Sequence, residues 1–203
     1  MYYLGIDIAT DNAGYAILSG SRDVLLSKTC KPKGEYKESE ILKCVYQQKV
    51  TKKVLSLYDY SVISVEAPAF SFSNRMVSIG MIHGAILPEV IGTGKPIVYL
   101  APTKWRYAIL GKGNADKKLG KEFVLNNFRF AKGIDLAHFD DNQADAIMIA
   151  YFAYLFNEFS NSRTPFIFDT LEKRVHEVFF SEKVVSKKKS GIMHRKNEFY
   201  FNK

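Results

Sequence analysis

The sequence predicts an α/β protein, a mixed β-sheet flanked by helices. Three observations carry this. Residues 2–30 hold three short apolar stretches separated by turn signals, which read as an antiparallel meander. Residues 61–100 alternate short β-branched runs with a helix-patterned segment, the mark of parallel strands joined by a crossover. Residues 141–156 are helical in pattern and apolar almost all round, as suits a helix lying on a sheet.

In the first strand, residues 2–8, Leu4, Ile6 and Ile8 share one face, and Gly5 and Asp7 the other. An Asp11-Asn12 turn leads to a second strand over 13–18, and a third follows over 24–30 before Pro32 and Gly34. Residues 39–57 place Ile41, Leu42, Val45, Val50, Val54 and Leu57 at near-helical spacing. Residues 61–65 suit a buried parallel strand. A helix over 74–91 carries Gly80 and Gly84 on one side, where they could admit another helix or serve ordinary packing on the sheet. A strand over 96–100 stops at Ala101-Pro102. Two basic helical segments, 103–110 and 115–127, flank Gly111-Lys112-Gly113-Asn114. The helix from 141 has an acidic start that complements its dipole. Residues 164–203 could hold a helix over 169–180, where Asp169-x-x-Glu172 resembles a capping box, or a basic hairpin around Lys187-Lys188-Lys189-Ser190-Gly191.

Composition narrows the function classes. Charged residues at 25% with aromatics at 14% exclude a generally disordered chain. No window approaches the ~20 apolar residues of a membrane span. The opening Met1-Tyr-Tyr-Leu-Gly-Ile-Asp7 has no basic region before its apolar residues and does not read as a signal peptide. Cys30 and Cys44 fit neither a zinc site nor a disulfide framework, so a reducing, cytoplasmic location is expected. The net charge is +8, and residues from Lys183 onward hold +6 of it. That tail is the expected polyanion-binding feature.

The acidic residues carry the chemistry. Asp7 lies inside an apolar strand, where a carboxylate must be paired, bound to a metal or neutralised. Glu66 ends the apolar run Val62-Ile-Ser-Val. If the first and fourth strands are parallel neighbours, Asp7 and Glu66 meet. Asp141 and Asp145 are four apart and share a helix face, while Asp140 could be an N-cap or a ligand. Carboxylates converging this way repel, and a hard divalent cation such as Mg²⁺, which takes oxygen ligands, relieves that. Two such ions, ~3.5–4 Å apart, serve phosphodiester cleavage.

Four segments spanning about residues 1–156 carry a family resemblance. They are Leu4-Gly-Ile-Asp7-Ile-Ala-Thr-Asp-Asn-Ala-Gly14, Val62-Ile-Ser-Val-Glu66, Ala101-Pro102-Thr-Lys104 with Gly111-Lys-Gly113-Asn-Ala115-Asp-Lys117-Lys118, and Asp140-Asp141-Asn-Gln-Ala144-Asp145. In this order they resemble the RuvC family of Holliday-junction resolvases, more narrowly its phage and viral members. The resemblance implies an RNase H-like, five-stranded mixed sheet and a Mg²⁺-dependent endonuclease, a homodimer cutting four-way DNA junctions. Residues 1–160 would form the nuclease domain and 161–203 a basic C-terminal extension.

Residue by residue, the resemblance makes Asp7, Glu66 and Asp145 catalytic metal ligands. Relatives place a further acid three residues before the last, where this chain has Asn142, and Asp141 is taken for that role. Two Mg²⁺ ions per site are expected, with Mn²⁺ able to substitute, and products ending in 5′-phosphate and 3′-hydroxyl. Lys117 falls where relatives hold a basic residue near the scissile phosphate, and Lys104, Lys112 and Lys118 are expected DNA contacts. Phe70 and Phe72 fall where an aromatic stacks on a base of the opened junction, or they anchor the next helix. Lys187, Lys188, Lys189, Arg195 and Lys196 would grip another duplex arm. The helix over 74–91 is where relatives dimerise. Two other readings stay open: an RNase H-like nuclease for RNA–DNA hybrids or other branched DNA, and a non-catalytic DNA-binding module. Sugar-kinase and actin-like ATPases open similarly but need two such domains, more than this chain holds.

Overall fold

The computed structural model describes residues 1–68, 75–161, 170–180 and 198–200. Strands β1 (Tyr2–Asp7), β2 (Ala13–Ser19) and β3 (Asp23–Cys30) form the antiparallel meander. A 3-10 turn at Gly34–Lys37 leads into α1 (Glu40–Leu55), then β4 (Val62–Glu66), α2 (Arg75–Ile91) and β5 (Ile97–Leu100). The chain continues through α3 (Pro102–Leu110), α4 (Lys117–Asn127), β6 (Arg129–Phe130), α5 (Asp141–Asn161), α6 (Thr170–Phe180) and β7 (Glu198–Tyr200). The sheet order is β6-β3-β2-β1-β4-β5-β7.

The five expected strands are the centre of this sheet, and β1 and β4 are parallel neighbours, with Ile6 beside Val65. Two short edge strands were not expected. β6 has two residues, parallel to β3, and β7 three, antiparallel to β5. Segments that short show no period, so sequence pattern cannot announce them. The helix alternative for the C-terminal segment is present as α6, while the basic hairpin alternative lies outside the described residues.

Local chemistry sets the helix ends. Ser39 caps α1 by accepting from the Leu42 N–H, and Asp116 caps α4 by accepting from the Leu119 N–H. Pro102 opens α3, where its missing N–H costs nothing, and Gly111 closes it at φ 76°.

Strand alternation then sorts two cores. Leu4, Ile6, Tyr15, Ile63 and Val65 face α1 and α2, against Cys44, Val54, Ile82, Ile86 and Val90. Tyr3, Val62, Val98 and Leu100 face α5, against Ala146, Ile149, Ala150 and Phe152. Helix α5 lies unusually close to the sheet. A Cβ on Gly5 would sit 2.1 Å from the Ala146 carbonyl oxygen, and one on Gly14 2.3 Å from that of Asn142. Glycine at both places lets the helix backbone reach the strands. Asp7 and Glu66 continue the α5-facing rows of β1 and β4, so both arrive beneath the start of α5.

Gly80 and Gly84 do not serve packing on the sheet. No described atom lies within 4 Å of where their side chains would be, and Ile82, Ile86 and Val90 make that contact instead. The same helix buries His83, whose Nδ1 is 3.1 Å from the Tyr99 hydroxyl. Burial lowers the His83 pKa to about 4 from an ordinary 6.5. The folded state therefore refuses a proton that the unfolded chain accepts, and this stability is lost as pH falls from 6.5 towards 4. Wild type should lose up to about 3 kcal/mol relative to His83→Leu between pH 7 and 4. Urea unfolding of both proteins across that range checks it; parallel curves would refute it. Among the described residues no helix is long and apolar enough to cross a membrane.

Candidate active site

The parallel strands β1 and β4 end side by side, and α5 begins above them. Asp7 and Asp145 are each 9% exposed. Asp7 is held well above the ordinary carboxylate value, first by burial, then by the negative charges of Glu66 and Asp145. Glu66 is pushed up to about 7, again mainly by burial, with Asp145 adding repulsion. Burial likewise raises Asp145, against the pull of Arg106 and Lys117. Three acids from remote parts of the chain thus sit within one another's fields.

Two side chains of α3 meet them. The buried Trp105 donates its indole N–H to Glu66 Oε2 at 2.9 Å. Arg106 donates to Asp145 Oδ2 at 2.7 Å and lies 4.5 Å from the Trp105 ring centroid. Neither residue was singled out from sequence. The available signal was weak: the chain's single tryptophan, next to an arginine, just after the Ala101-Pro102-Thr-Lys104 segment.

Asp140 and Asp141 have different surroundings. Asp140 caps α5: its carboxylate accepts from the Gln143 N–H at 3.0 Å and the Thr29 hydroxyl at 2.6 Å. Gln143 Oε1 returns the favour to the Asp140 N–H at 2.9 Å, completing a capping box. Asp141 is left in the first helical turn, one turn before Asp145, with its Oδ2 3.5 Å from Lys117 Nζ.

The other expected contacts are spread around this centre. Lys104 is half-buried on α3, and Lys112 is exposed in the α3–α4 connection. Lys118 is exposed and pairs with Glu122 along α4 at 3.8 Å, turned to the helix surface rather than to the acids. Phe70, Phe72, Lys187, Lys188, Lys189, Arg195 and Lys196 lie outside the described residues.

Among the described residues no group of three acidic, histidine or cysteine side chains forms a ready-made cation site. Two of the acids are engaged by protein donors, Trp105 and Arg106. The donor set nonetheless fits a hard divalent ion: carboxylate oxygens only, Asp7 and Asp145 buried and Glu66 half-buried, mutually repelling, and one of them, Asp7, with no ion pair among the described residues.

Comparison with known proteins agrees with this geometry. Residues 3–151 match the family model described as crossover junction endodeoxyribonuclease RuvC. The chain is 26% identical over 155 residues to the crossover junction endodeoxyribonuclease RuvC of Bacteroides fragilis, covering 75% of this chain and 81% of the relative. The RuvC structure of Thermus thermophilus superposes with a TM-score of 0.63 at 21% identity, covering 78% of this chain and 97% of that one. The structure of T. thermophilus RuvC in complex with a Holliday junction substrate does so with a TM-score of 0.61 at 22% identity, covering 74% and 90%. The shared fold is the RNase H-like mixed sheet.

Proposed function

We propose, from the premise that the chain belongs to the RuvC family of crossover junction endodeoxyribonucleases, that it resolves four-way DNA junctions with a centre built from Asp7, Glu66, Asp141 and Asp145. The observation that carries the site assignment is the convergence of Asp7, Glu66 and Asp145 at one end of the sheet, faced by Arg106 and Lys117. The setting is DNA recombination and repair.

The four carboxylates would hold Mg²⁺, two ions per site, with Mn²⁺ as a substitute. When bound, the ions supply Lewis-acid activation of water and stabilisation of the departing 3′ oxygen. The protein's part is preorganisation. Trp105 fixes one Glu66 oxygen and so orients the other. Arg106 offsets the charge of Asp145 and keeps α3 against α5. Lys117 reaches over Asp141 on a flexible stem, placed to meet a phosphate oxygen. Lys104 and Lys112 add phosphate contacts, and Lys118 one further along α4. Residues 161–203 act as a basic extension that grips a further arm through Lys187, Lys188, Lys189, Arg195 and Lys196. Phe70 and Phe72, directly after the centre, stack on an opened base. Two buried free thiols, Cys30 and Cys44, suit a reducing cytoplasm.

A homodimer would supply two centres for two strands of one junction. Its interface is the outer stripe of α2: Val77, 70% exposed, Gly80, Gly84 and Ile91, 50% exposed. The two glycines leave room for a second backbone. Val77→Glu should shift the protein from dimer to monomer in light scattering; an unchanged mass would remove α2 from the interface.

The deciding experiment is a cleavage panel on a four-way junction, a flap, an RNA–DNA hybrid and plain duplex, with Mg²⁺ and with chelator. Paired cuts confined to the junction, leaving 5′-phosphate and 3′-hydroxyl ends and abolished by chelation, are expected. Faster cutting of the hybrid would replace this reading with the other nuclease class. Trp105 provides a direct readout of ion loading, because it is the only tryptophan and bonds Glu66. Titrating Mg²⁺ should change its fluorescence in wild type but not in Glu66→Gln/Asp7→Asn.

A further inference from the structure

Beside the acids, at the outer edge of the meander, lies an open cleft of about 550 Å³ between β3 and the segment joining β6 to α5. Lys28, Lys31 and Lys132 line it, all exposed and none in an ion pair among the described residues. Its carboxylates are already occupied. Asp140 accepts from Thr29 and Gln143. Asp135 accepts from the N–H groups of Ala137 and His138 and holds the His138 ring at 2.7 Å. Hydrogen bonding leaves the charge of a carboxylate in place, so three lysines face two acids and the cleft keeps an excess of one positive charge. That stands out because the net charge of the chain is otherwise concentrated beyond Lys183.

Register ties this cleft to the candidate centre. Asp7 pairs with Gly14, and Gly14 pairs with Thr29, so one row of the sheet runs from the acid to the cleft wall. Two strand spacings make that about 10 Å. The first turn of α5 covers Gly14 on this row, so a backbone leaving the centre passes across the strand ends beside it, and with phosphates about 3.4 Å of axis apart per strand it reaches the cleft about three nucleotides on. Asp140 and Asp141, adjacent in sequence, face the cleft and the centre respectively.

We infer that this cleft is a second phosphodiester subsite, in which Lys28, Lys31 and Lys132 hold the DNA strand flanking the scissile phosphate. The inference rests on the nuclease reading proposed above and adds to it a contact surface on the folded body, separate from the basic tail. Lysines fit this task, since they meet phosphate as point charges without reading sequence. The edge position of β3 leaves the approach open: β6 pairs only with Asp23 and Val24, and the rest of that edge, from Leu25 to Lys31, faces the cleft.

The test is salt-dependent binding of the full chain to a labelled four-way junction in chelator. Lys28→Ala/Lys31→Ala/Lys132→Ala is compared with Lys52→Ala/Lys53→Ala/Lys95→Ala. The second set removes equal charge from the opposite end of the parallel strands. Each lost phosphate contact flattens the log K against log salt slope by about 0.9. The cleft variant should flatten it by about 2–3 with unchanged melting temperature, and the control set by less than about 1. Equal slopes for the cleft variant and wild type, or equal flattening by the two sets, would overturn the subsite alone. A wild type with no preference for the junction over duplex would bring down the nuclease reading itself and the subsite with it.

Discussion

Asp7→Asn should abolish junction cleavage and, at the same time, make the ion-free protein more stable. Both effects come from one location. The carboxylate sits at the end of a buried strand, and burial together with Glu66 and Asp145 makes its charged form costly. An amide of the same shape removes that cost, so the melting temperature in chelator should rise. The same amide is a poor ligand for a hard cation. Lewis-acid assistance contributes several kcal/mol to such reactions, and each 1.36 kcal/mol is tenfold, so the rate should fall by about 10³ or more. In wild type, adding Mg²⁺ should restore the stability missing in chelator, because an ion binding only the folded state stabilises it by mass action. Wild-type cleavage by the variant would end the assignment of Asp7. A variant that melts lower than wild type in chelator would show that the carboxylate is structurally satisfied after all.

Much of this was legible in the residues, and the reason is periodicity. β1 places Leu4 and Ile6 on one face and Gly5 and Asp7 on the other, and the two cores divide along that line. The parallel pairing of β1 and β4 follows from a meander succeeded by strand–helix alternation, and it brings Asp7 and Glu66 together. What stayed hidden depends on side-chain reach across tertiary contacts. Arg106 looked like one more basic residue on a basic helix; only the approach of α3 to α5 gives it Asp145 as a partner. Trp105 is core, but its one polar atom finds Glu66. The division of labour between Asp140 and Asp141 needed Thr29, which lies 111 residues before Asp140 in the chain. The lysine cleft unites β3 with a segment about a hundred residues later, so no local charge run announces it.

Gly14→Ala should separate the geometry of the centre from its chemistry. No catalytic group is touched, yet the new methyl would sit 2.3 Å from the Asn142 carbonyl oxygen and 2.9 Å from its carbonyl carbon. Those are backbone atoms of the first turn of α5, with no rotamer to yield, so the turn must lift off β2. Overpacking costs about 1–3 kcal/mol where side chains can adjust, and the upper end or beyond applies here. Asn142 lies between Asp141 and Asp145, so the displacement moves both carboxylates relative to Asp7 and Glu66. A shift of about 1 Å can cost about 10² in rate. Cleavage by Gly14→Ala, measured well below its melting temperature, should therefore drop by about that factor. Gly20→Ala is the matched control, because its methyl would meet no atom closer than 3.7 Å, and it should leave rate and stability nearly unchanged. If Gly14→Ala melts lower but cuts at the wild-type rate, the close seating of α5 on the sheet serves stability only, and the position of Asp141 and Asp145 is set elsewhere. The expected result, slow cutting by a folded protein with all its acids in place, would mean that this glycine is where the fold holds the helix carboxylates to those of the strands.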